Sequence, residues 1–380
     1  MRIPQFNTIQ ELINFQYGHA AGADVAKADA PVLNTTTGVA NPVFGAMAFS
    51  QLNMEGNAFA LLPKYPWQKS GWRAITADAG STAAGGVAEN AAIPDTIKPT
   101  FAEITVTPGE VAHSFDVSYR HEALTMRGDD NIGNMEQLRV YFSALHAKRI
   151  NEQLLIDVDT AYSTGFESLD RVCSSNAEIS DLSLDANDAD IYGLDRDGGA
   201  TWADAVVDSN GGTDRAFQLS LIEDTLATLE DNGARTNVIL TGNDTKWRII
   251  SLAQNSVRYR GILGEAVASI GLNGVETEQG MDFGQRVSTV YNIPLFSSQA
   301  VPKDTISRIY LLDTTVHDET GVPRLGIAML TPTMYFESGM SAATPNPFAI
   351  GRFGTEGVFY TSGQLVCTHF KAQGKIRDLA

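Results

Sequence analysis

The chain has 380 residues, of which 43% are hydrophobic and 19% charged, a balance typical of a globular protein with a sizeable core. Its formal net charge is −18, and the sequence contains no run of lysine and arginine. This composition argues against a protein that binds nucleic acid through a basic patch. No apolar run approaches the roughly 20 residues that a membrane helix needs, which argues against a membrane-spanning protein.

The N-terminal part, residues 1–56, is mostly irregular. A short helix is predicted at residues 9–17, where Ile9, Leu12 and Ile13 fall on one face. The stretch that follows is rich in Ala, Thr, Gly and Asn, and it predicts an extended arm because it lacks the apolar density to fold alone. No apolar region precedes its small residues, so a secretory signal is not expected.

Two alternating segments come next, "GWRAITAD" from residue 71 and "PTFAEITVTPGEVAHSF" from residue 99. In the second, Ala102, Ile104 and Val106 point to one side, as in a half-buried strand. The strip between them, "DAGSTAAGGVAENAAIPDT", consists mainly of small residues and is far longer than the roughly 2–5 residues of an ordinary hairpin loop. A strip with so little to pack locally predicts burial against a neighbouring subunit.

The strongest helical pattern covers residues 131–163. Leu138, Phe142 and Leu145 form one apolar stripe, and neither proline nor glycine interrupts residues 135–162. At ~1.5 Å per residue this stretch would span about 40 Å. A helix of that length predicts a rigid support for the rest of the chain.

An α/β unit is predicted after the acidic, loop-like residues 167–215. A helix at residues 216–231 precedes the buried strand "TNVILTG", and a second helix starts with Asn243 or Asp244 as its N-cap. Strands are further predicted at residues 288–296, 306–313 and 325–336, and two more around a turn at Ser362-Gly363.

Side chains that could carry catalysis form no recognised constellation. The six histidines are scattered singly, and His369 beside Cys367 supplies too few ligands for a zinc site. Cys367 and Cys173 lie far apart in the sequence and are expected to be free thiols. There is no phosphate-binding glycine loop and no nucleophile elbow. Neither an enzyme activity nor a cofactor is therefore predicted.

The best ligand candidates are oxygen-bearing side chains in the acidic loop. Carboxylate and amide oxygens suit a divalent cation, but their spacing does not fit the calcium loop of an EF-hand. A solvated acidic loop is the alternative interpretation. The candidates are Asp185, Asn187, Asp188, Asp190, Asp195 and Asp197.

The order of these parts resembles the major capsid proteins of tailed double-stranded DNA viruses with the HK97 fold. "YNIPLFSSQAVP" is similar to a strand often found in the A-domain of that family, and "GQLVCTHFKAQGKIRDL" is similar to its final P-domain strand. The resemblance implies an α+β fold with an N-terminal arm, an extended β-hairpin called the E-loop, a long spine helix with a P-domain sheet, and an α/β A-domain. The implied division is residues 1–56 for the arm; 57–70, 116–215 and 331–380 for the P-domain, with the spine helix at 131–163 and an acidic insertion at 167–215; 71–115 for the E-loop; and 216–330 for the A-domain.

The resemblance also implies a function without catalysis. The protein would be a homo-oligomer, building the hexamers and pentamers of an icosahedral virion capsid in the host cytoplasm. It would enclose double-stranded DNA without sequence-specific binding, with separate scaffold, portal and decoration proteins as further partners and no membrane. Some members cross-link through a lysine of the E-loop. No lysine lies between residues 78 and 96 of this chain, so a noncovalent contact is expected. The implied contact residues at the tip are Asp78, Gly80, Gly85, Gly86, Glu89, Asn90, Ile93 and Pro94.

Other interpretations of the sequence stay open. An encapsulin-like nanocompartment shell would have the same fold, and an acidic surface-layer or secreted binding protein would explain the charge. An enzyme of unknown type is the remaining alternative. The acidic composition, with 27 aspartates against 9 lysines, further suggests a virus of a salt-loving, archaeal host. An ordinary acidic protein is the alternative to that suggestion.

Overall fold

The computed structural model describes residues 57–77, 88–90, 92, 98–125, 135–158, 160, 164–182, 190–260, 288–317, 321–340 and 351–380. The predicted arm and the predicted helix at residues 9–17 lie outside these residues. Within them, no helix is both long and apolar enough to cross a membrane.

Strands and helices are mixed along the described residues, as an α+β fold requires. The strands are β1 (Lys64–Pro66), β2 (Gly71–Ala77), β3 (Thr100–Thr105), β4 (Gly109–Ser118), β5 (Val206–Asp208), β6 (Val238–Thr241), β7 (Ser288–Val290), β8 (Ile293–Ser297), β9 (Ile309–Leu312), β10 (Leu325–Gly339), β11 (Gly354–Cys367) and β12 (Gly374–Ile376). The helices are α1 (Asn57–Leu61), α2 (Tyr119–Thr125), α3 (Met135–Leu154), α4 (Leu169–Val172), α5 (Asn176–Leu182), α6 (Leu219–Asp231) and α7 (Asn243–Arg260).

A four-stranded sheet in the order β1-β10-β11-β4 supports the long helix α3. The alternation in β4 buries Val111, Phe115 and Val117 on the side of the helix, as the sequence predicts. There Phe115 stacks on Phe142 of α3 with ring centroids 4.6 Å apart. Aromatic packing of this kind fixes the helix on the sheet.

Two predictions about this sheet are wrong. Ser362 and Gly363 do not form a turn, because both lie inside β11 and pair with β4 and β10. A side chain at Gly363 would bring its Cβ to 2.6 Å from the Ala328 carbonyl oxygen, so glycine permits close approach of neighbouring strands. Helix α3 also ends at Leu154 rather than near residue 163. The apolar spacing continues to Val158, but there the buried residues belong to a turn whose backbone is held by Asp170.

The hairpin β2–β3 is a separate two-stranded antiparallel sheet. Its register pairs Trp72 with Ile104 and Ala74 with Ala102, which confirms the predicted alternation. Ile104 and Val106 are buried, and the Val106 amide donates to the Ser70 carbonyl at 2.9 Å. The hairpin is thereby fastened to the body at its base.

A six-stranded mixed sheet, β5-β12-β9-β6-β8-β7, builds the α/β part. The predicted strand at residues 288–296 is in fact a hairpin, β7–β8, whose turn residues Tyr291 and Asn292 both have positive φ. Positive φ at both central residues is the conformation of a type I′ turn, and the missing glycine hid it from sequence reasoning. The predicted helix after β6 is present as α7, but it begins at Asn243, and the first helical hydrogen bond runs from the Lys246 amide to the Gly242 carbonyl, so neither Asn243 nor Asp244 is the N-cap.

The two larger sheets share one hydrophobic core, to which Ile150, Leu240, Leu312 and Leu365 all contribute. The division into domains stays a prediction. A boundary after residue 330 lies inside β10, and β12, which was assigned to the P-domain, belongs to the six-stranded sheet.

Candidate assembly surfaces and polar clusters

The outer face of the hairpin β2–β3 carries exposed apolar side chains. Register places Ile75 opposite Phe101 and Arg73 opposite Glu103 on this face. The Ile75 and Phe101 residues are 66% and 59% exposed, and Arg73 forms an ion pair with Glu103 at 2.7 Å. Directly opposite apolar residues on a strand pair form one continuous patch. The hairpin therefore offers a small apolar contact with a charged pair beside it.

The inner face of the hairpin is anchored to the body. Trp72 packs edge-to-face on Tyr192, with ring centroids 5.6 Å apart. The Tyr192 hydroxyl donates to the Leu365 carbonyl at 2.6 Å and accepts from the Cys367 amide at 3.2 Å. A residue of the acidic loop thus connects the hairpin to β11, a role that sequence reasoning missed.

A second apolar surface lies on the four-stranded sheet, and we call it the outer sheet face. Tyr335 faces α3, since it stacks on Phe115, so its neighbours Met334 and Phe336 point to the opposite side. These two are 41% and 51% exposed. Cross-strand pairing completes the outer sheet face, which consists of Met334, Phe336, Val358 and Tyr360.

Only part of the predicted hairpin tip falls within the described residues. Glu89 and Asn90 are both exposed, and Asn90 has a φ of 64°, typical of a turn. Their role as contact residues stays a prediction. Asp78, Gly80, Gly85, Gly86, Ile93 and Pro94 lie outside the described residues.

Three of the six predicted metal ligands come together. Asp190, Asp195 and Asp197 bring carboxylate oxygens within 4.8 Å of one another, the one such set of three among the described residues. The hydrogen bond between the two side chains lowers the pKa of Asp195 and raises the pKa of Asp197. Exposed acidic loops have this geometry without an ion, so metal binding stays a prediction. Asp185, Asn187 and Asp188 lie outside the described residues.

Sequence reasoning missed a buried network of charges. Lys375 Nζ lies 3.2 Å from Asp170 Oδ1 and 2.7 Å from Glu178 Oε1, and all three residues are buried. Arg308 Nη1 lies 2.8 Å from Asp170 Oδ2, and Arg377 pairs with Glu178. The one available signal was the pair of cations Lys375 and Arg377 on either side of the apolar Ile376.

Two of the histidines that are scattered along the sequence meet in space. His113 of β4 and His146 of α3 share a hydrogen bond between their Nδ1 atoms at 2.7 Å. His146 Nε2 lies 2.7 Å from the Thr361 hydroxyl. Burial lowers the pKa of His146 to about 4, with a further contribution from His113. Burial and the nearby Arg149 also lower the pKa of His113.

Comparison with known proteins was made by sequence and by structure. No protein-family model and no curated protein matches the chain. The capsid asymmetric unit of cyanophage A-1(L) is similar over 90% of this chain and 97% of its own, with a TM-score of 0.60 and 16% identity. The capsid of a native GTA particle is similar over 90% and 96%, with a TM-score of 0.52 and 12% identity. The chain has the HK97 capsid fold.

The assignment of the hairpin β2–β3 as the E-loop and of α3 as the spine helix stays a prediction. An encapsulin shell shares the fold: the holo-SrpI encapsulin complex of Synechococcus elongatus is similar over 90% of this chain and 92% of its own, with a TM-score of 0.50 and 14% identity. At these identities the likeness concerns the fold alone.

Proposed function

We propose that this protein is the major capsid protein of a tailed double-stranded DNA virus, assembling in the host cytoplasm into hexamers and pentamers of an icosahedral shell. The observation that carries the proposal is a capsid fold whose hairpin is anchored on one face and exposes Ile75 and Phe101 on the other. The protein acts by geometry, without catalysis or a cofactor. Separate scaffold, portal and decoration proteins complete the particle.

Apolar area favours a contact between the hairpin of one copy and the outer sheet face of the next. The four apolar side chains of the outer sheet face match the patch of Ile75 and Phe101 on the hairpin. Ion pairs border both surfaces: Arg73 pairs with Glu103 beside the hairpin patch, and Arg352 lies 3.2 Å from Asp116 and 3.3 Å from Glu356 beside the sheet face. Charged groups at the rim of an interface help to fix its register.

Deleting residues 79–93 tests the role of the hairpin. The remaining subunit should fold, because the hydrophobic cores of the described residues are built from other parts of the chain, but it should fail to form closed shells. A milder test replaces Phe101 by aspartate, with Val316→Asp as the control at an exposed apolar site outside the hairpin. Negative-stain microscopy and light scattering report shell formation. Intact shells from both the deletion variant and Phe101→Asp would contradict the proposed contact.

An encapsulin-like compartment is the second candidate, and the similarity to an encapsulin complex favours it. The contents of purified particles separate the two. A viral capsid should contain nucleic acid, with the ultraviolet absorbance ratio of a nucleoprotein, whereas a compartment should contain an enzyme identified by mass spectrometry. Flat or open sheets instead of closed particles would indicate a surface-layer protein.

The host is inferred from composition alone. A net charge of −18 with abundant aspartate fits a surface kept hydrated in concentrated salt, where repulsion between copies is screened. A salt-loving, archaeal host follows as part of the proposal. It predicts shells that are most stable in molar salt, which size-exclusion chromatography across a salt series would measure.

A further inference from the structure

A continuous chain of hydrogen bonds crosses the junction between α3 and the four-stranded sheet. It runs from His113 on β4 to His146 on α3, then to Thr361 on β11 and Thr333 on β10. The three links measure 2.7 Å, 2.7 Å and 2.8 Å. His146 is buried and His113 is half-buried. This chain is a polar connection between the helix and three strands of the sheet.

Protonation decides whether the hydrogen bond between His113 and His146 can form. Two Nδ1 atoms at 2.7 Å share one hydrogen, so one ring donates and the other accepts. A first proton is accommodated, because the charged ring still donates from Nδ1 to its neutral partner. A second proton places two N–H groups and two like charges against each other, at a contact where the His146 ring is buried. The contact therefore exists with neither or one ring charged and is lost when both are charged.

Among the described residues, no ion pair joins either histidine ring to a carboxylate that would compensate a doubly charged pair. On α3, Arg149 adds positive charge, and the carboxylate of Glu152 is already paired with Arg149 at 2.7 Å and Lys148 at 3.7 Å. On β4, exposed Glu110 lines the same cavity as His113. The neighbours on β10 and β11 are the neutral Thr333, Thr361 and Phe359, and α1, which packs on α3, carries no ionisable side chain.

We propose that the His113–His146 contact is a proton-operated clasp that holds the spine helix α3 on the sheet and releases it in acid. In the subunit, release loosens α3 from β4 and β11. In the assembled shell, which rests on the proposed function, acid then changes the diameter or integrity of the particle. The contact is complete at neutral pH and is lost below about pH 4, where folded His146 also takes up a proton. Between pH 6.5 and about 4 the unfolded chain's histidine binds a proton that folded His146 does not, so the folded state loses stability as the pH falls through this range.

The experiment compares the pH dependence of subunit unfolding in wild type and in two variants. His146→Phe keeps a ring of similar size, and His113→Gln keeps a hydrogen-bonding partner at a half-buried position. Between pH 7.5 and 5, the wild-type unfolding equilibrium constant should rise ~30-fold more than that of His146→Phe, from a folded pKa of about 4 and an unfolded value of 6.5. His121→Gln is the matched control, since His121 is exposed, and it should follow the wild type.

Each outcome decides the clasp independently of the shell. Equal pH slopes in the wild type and both variants overturn it, as would independent titration of the two rings near pH 6.5 in histidine NMR spectra. If the subunit responds as expected and no shell forms under any condition, the proposed function fails while the clasp stands. If shells form, light scattering should detect an acid-induced change in wild type that His113→Gln lacks, and its presence in His113→Gln would overturn the role in the shell.

Discussion

Replacing Asp170 by asparagine tests the buried charge network directly. The carboxylate is fully buried and accepts hydrogen bonds from Arg308 at 2.8 Å, the Tyr310 hydroxyl at 2.7 Å and the Val158 amide at 2.8 Å. Lys375 lies 3.2 Å from its Oδ1. Asparagine has nearly the same shape, but its amide nitrogen presents hydrogens to groups that are themselves donors, so at least one of them loses its acceptor.

The size of the loss in the free energy of unfolding depends on which other carboxylates Lys375 and Arg308 still contact in the variant. Removing one partner of a buried ion pair costs about 3–5 kcal/mol, because the other charge is left uncompensated. Here Lys375 retains Glu178 at 2.7 Å, and Arg308 retains Asp157 at 2.6 Å and Asp304 at 2.9 Å. The residual pairing favours the lower end, a loss of about 3 kcal/mol in the free energy of unfolding. That loss is a large part of the ~5–15 kcal/mol that stabilises a typical protein.

Urea unfolding at pH 7, followed by tryptophan fluorescence and circular dichroism, would measure this loss. The control is Asp195→Asn, which removes an exposed aspartate. Its free energy of unfolding should stay within about 0.5 kcal/mol of the wild-type value. A change below 1 kcal/mol in Asp170→Asn would refute the reasoning. Burial raises the pKa of Asp170, but its lysine and arginine neighbours outweigh that effect and hold the pKa well below its ordinary 3.8. The contribution of Asp170 to stability is therefore present above about pH 4 and declines in stronger acid, whereas the effect of His146 on stability develops between pH 6.5 and about 4.

Three further predictions follow from contacts and charge. Gly363→Val should destabilise the subunit by about 1–3 kcal/mol in urea unfolding, since its Cβ would meet the Ala328 carbonyl oxygen at 2.6 Å; an unchanged midpoint would contradict the close approach. Phe115→Ala should cost about 3–5 kcal/mol, because it removes the ring stacked on Phe142 at 4.6 Å, whereas Phe115→Leu should cost less than half of that. Shells should loosen as salt falls from 1 M to 0.01 M, because the screening length grows from ~3 to ~30 Å; indifference to salt in light scattering would remove the argument from net charge.

The elements that sequence reasoning identified are those whose pattern is set by one buried face. The alternation around Ala102 and Ile104 predicted the strand β3, because a slip of one residue would expose the buried Ile104. The long β11 was missed because Gly363 usually marks a turn, and only the close approach of Ala328 explains a glycine inside a strand. The end of α3 was missed because buried side chains keep a helical spacing up to Val158 although the backbone turns.

The hairpin and the acidic loop were predictable as surfaces, whereas the polar clusters were not. The hydrogen bond between His113 and His146 joins residues 33 apart, and that between Lys375 and Asp170 joins residues 205 apart. No local pattern specifies such pairs, because each side chain alone fits an ordinary strand or helix. Their meeting depends on the sheet order, in which β4 lies beside β11 and β12 beside β9.

The size of the hairpin contact bears on how a shell could be built from it. Ile75 and Phe101 are each more than half exposed, and burying most of both would contribute roughly 2–4 kcal/mol. Association of two proteins costs about 4–15 kcal/mol in lost freedom, so one hairpin contact does not hold two copies together. In a closed ring each copy gives one hairpin and receives another, and the later contacts form within one assembly, where the effective concentration is high. A weak individual contact therefore favours closed assemblies over dimers, and formation should depend steeply on subunit concentration.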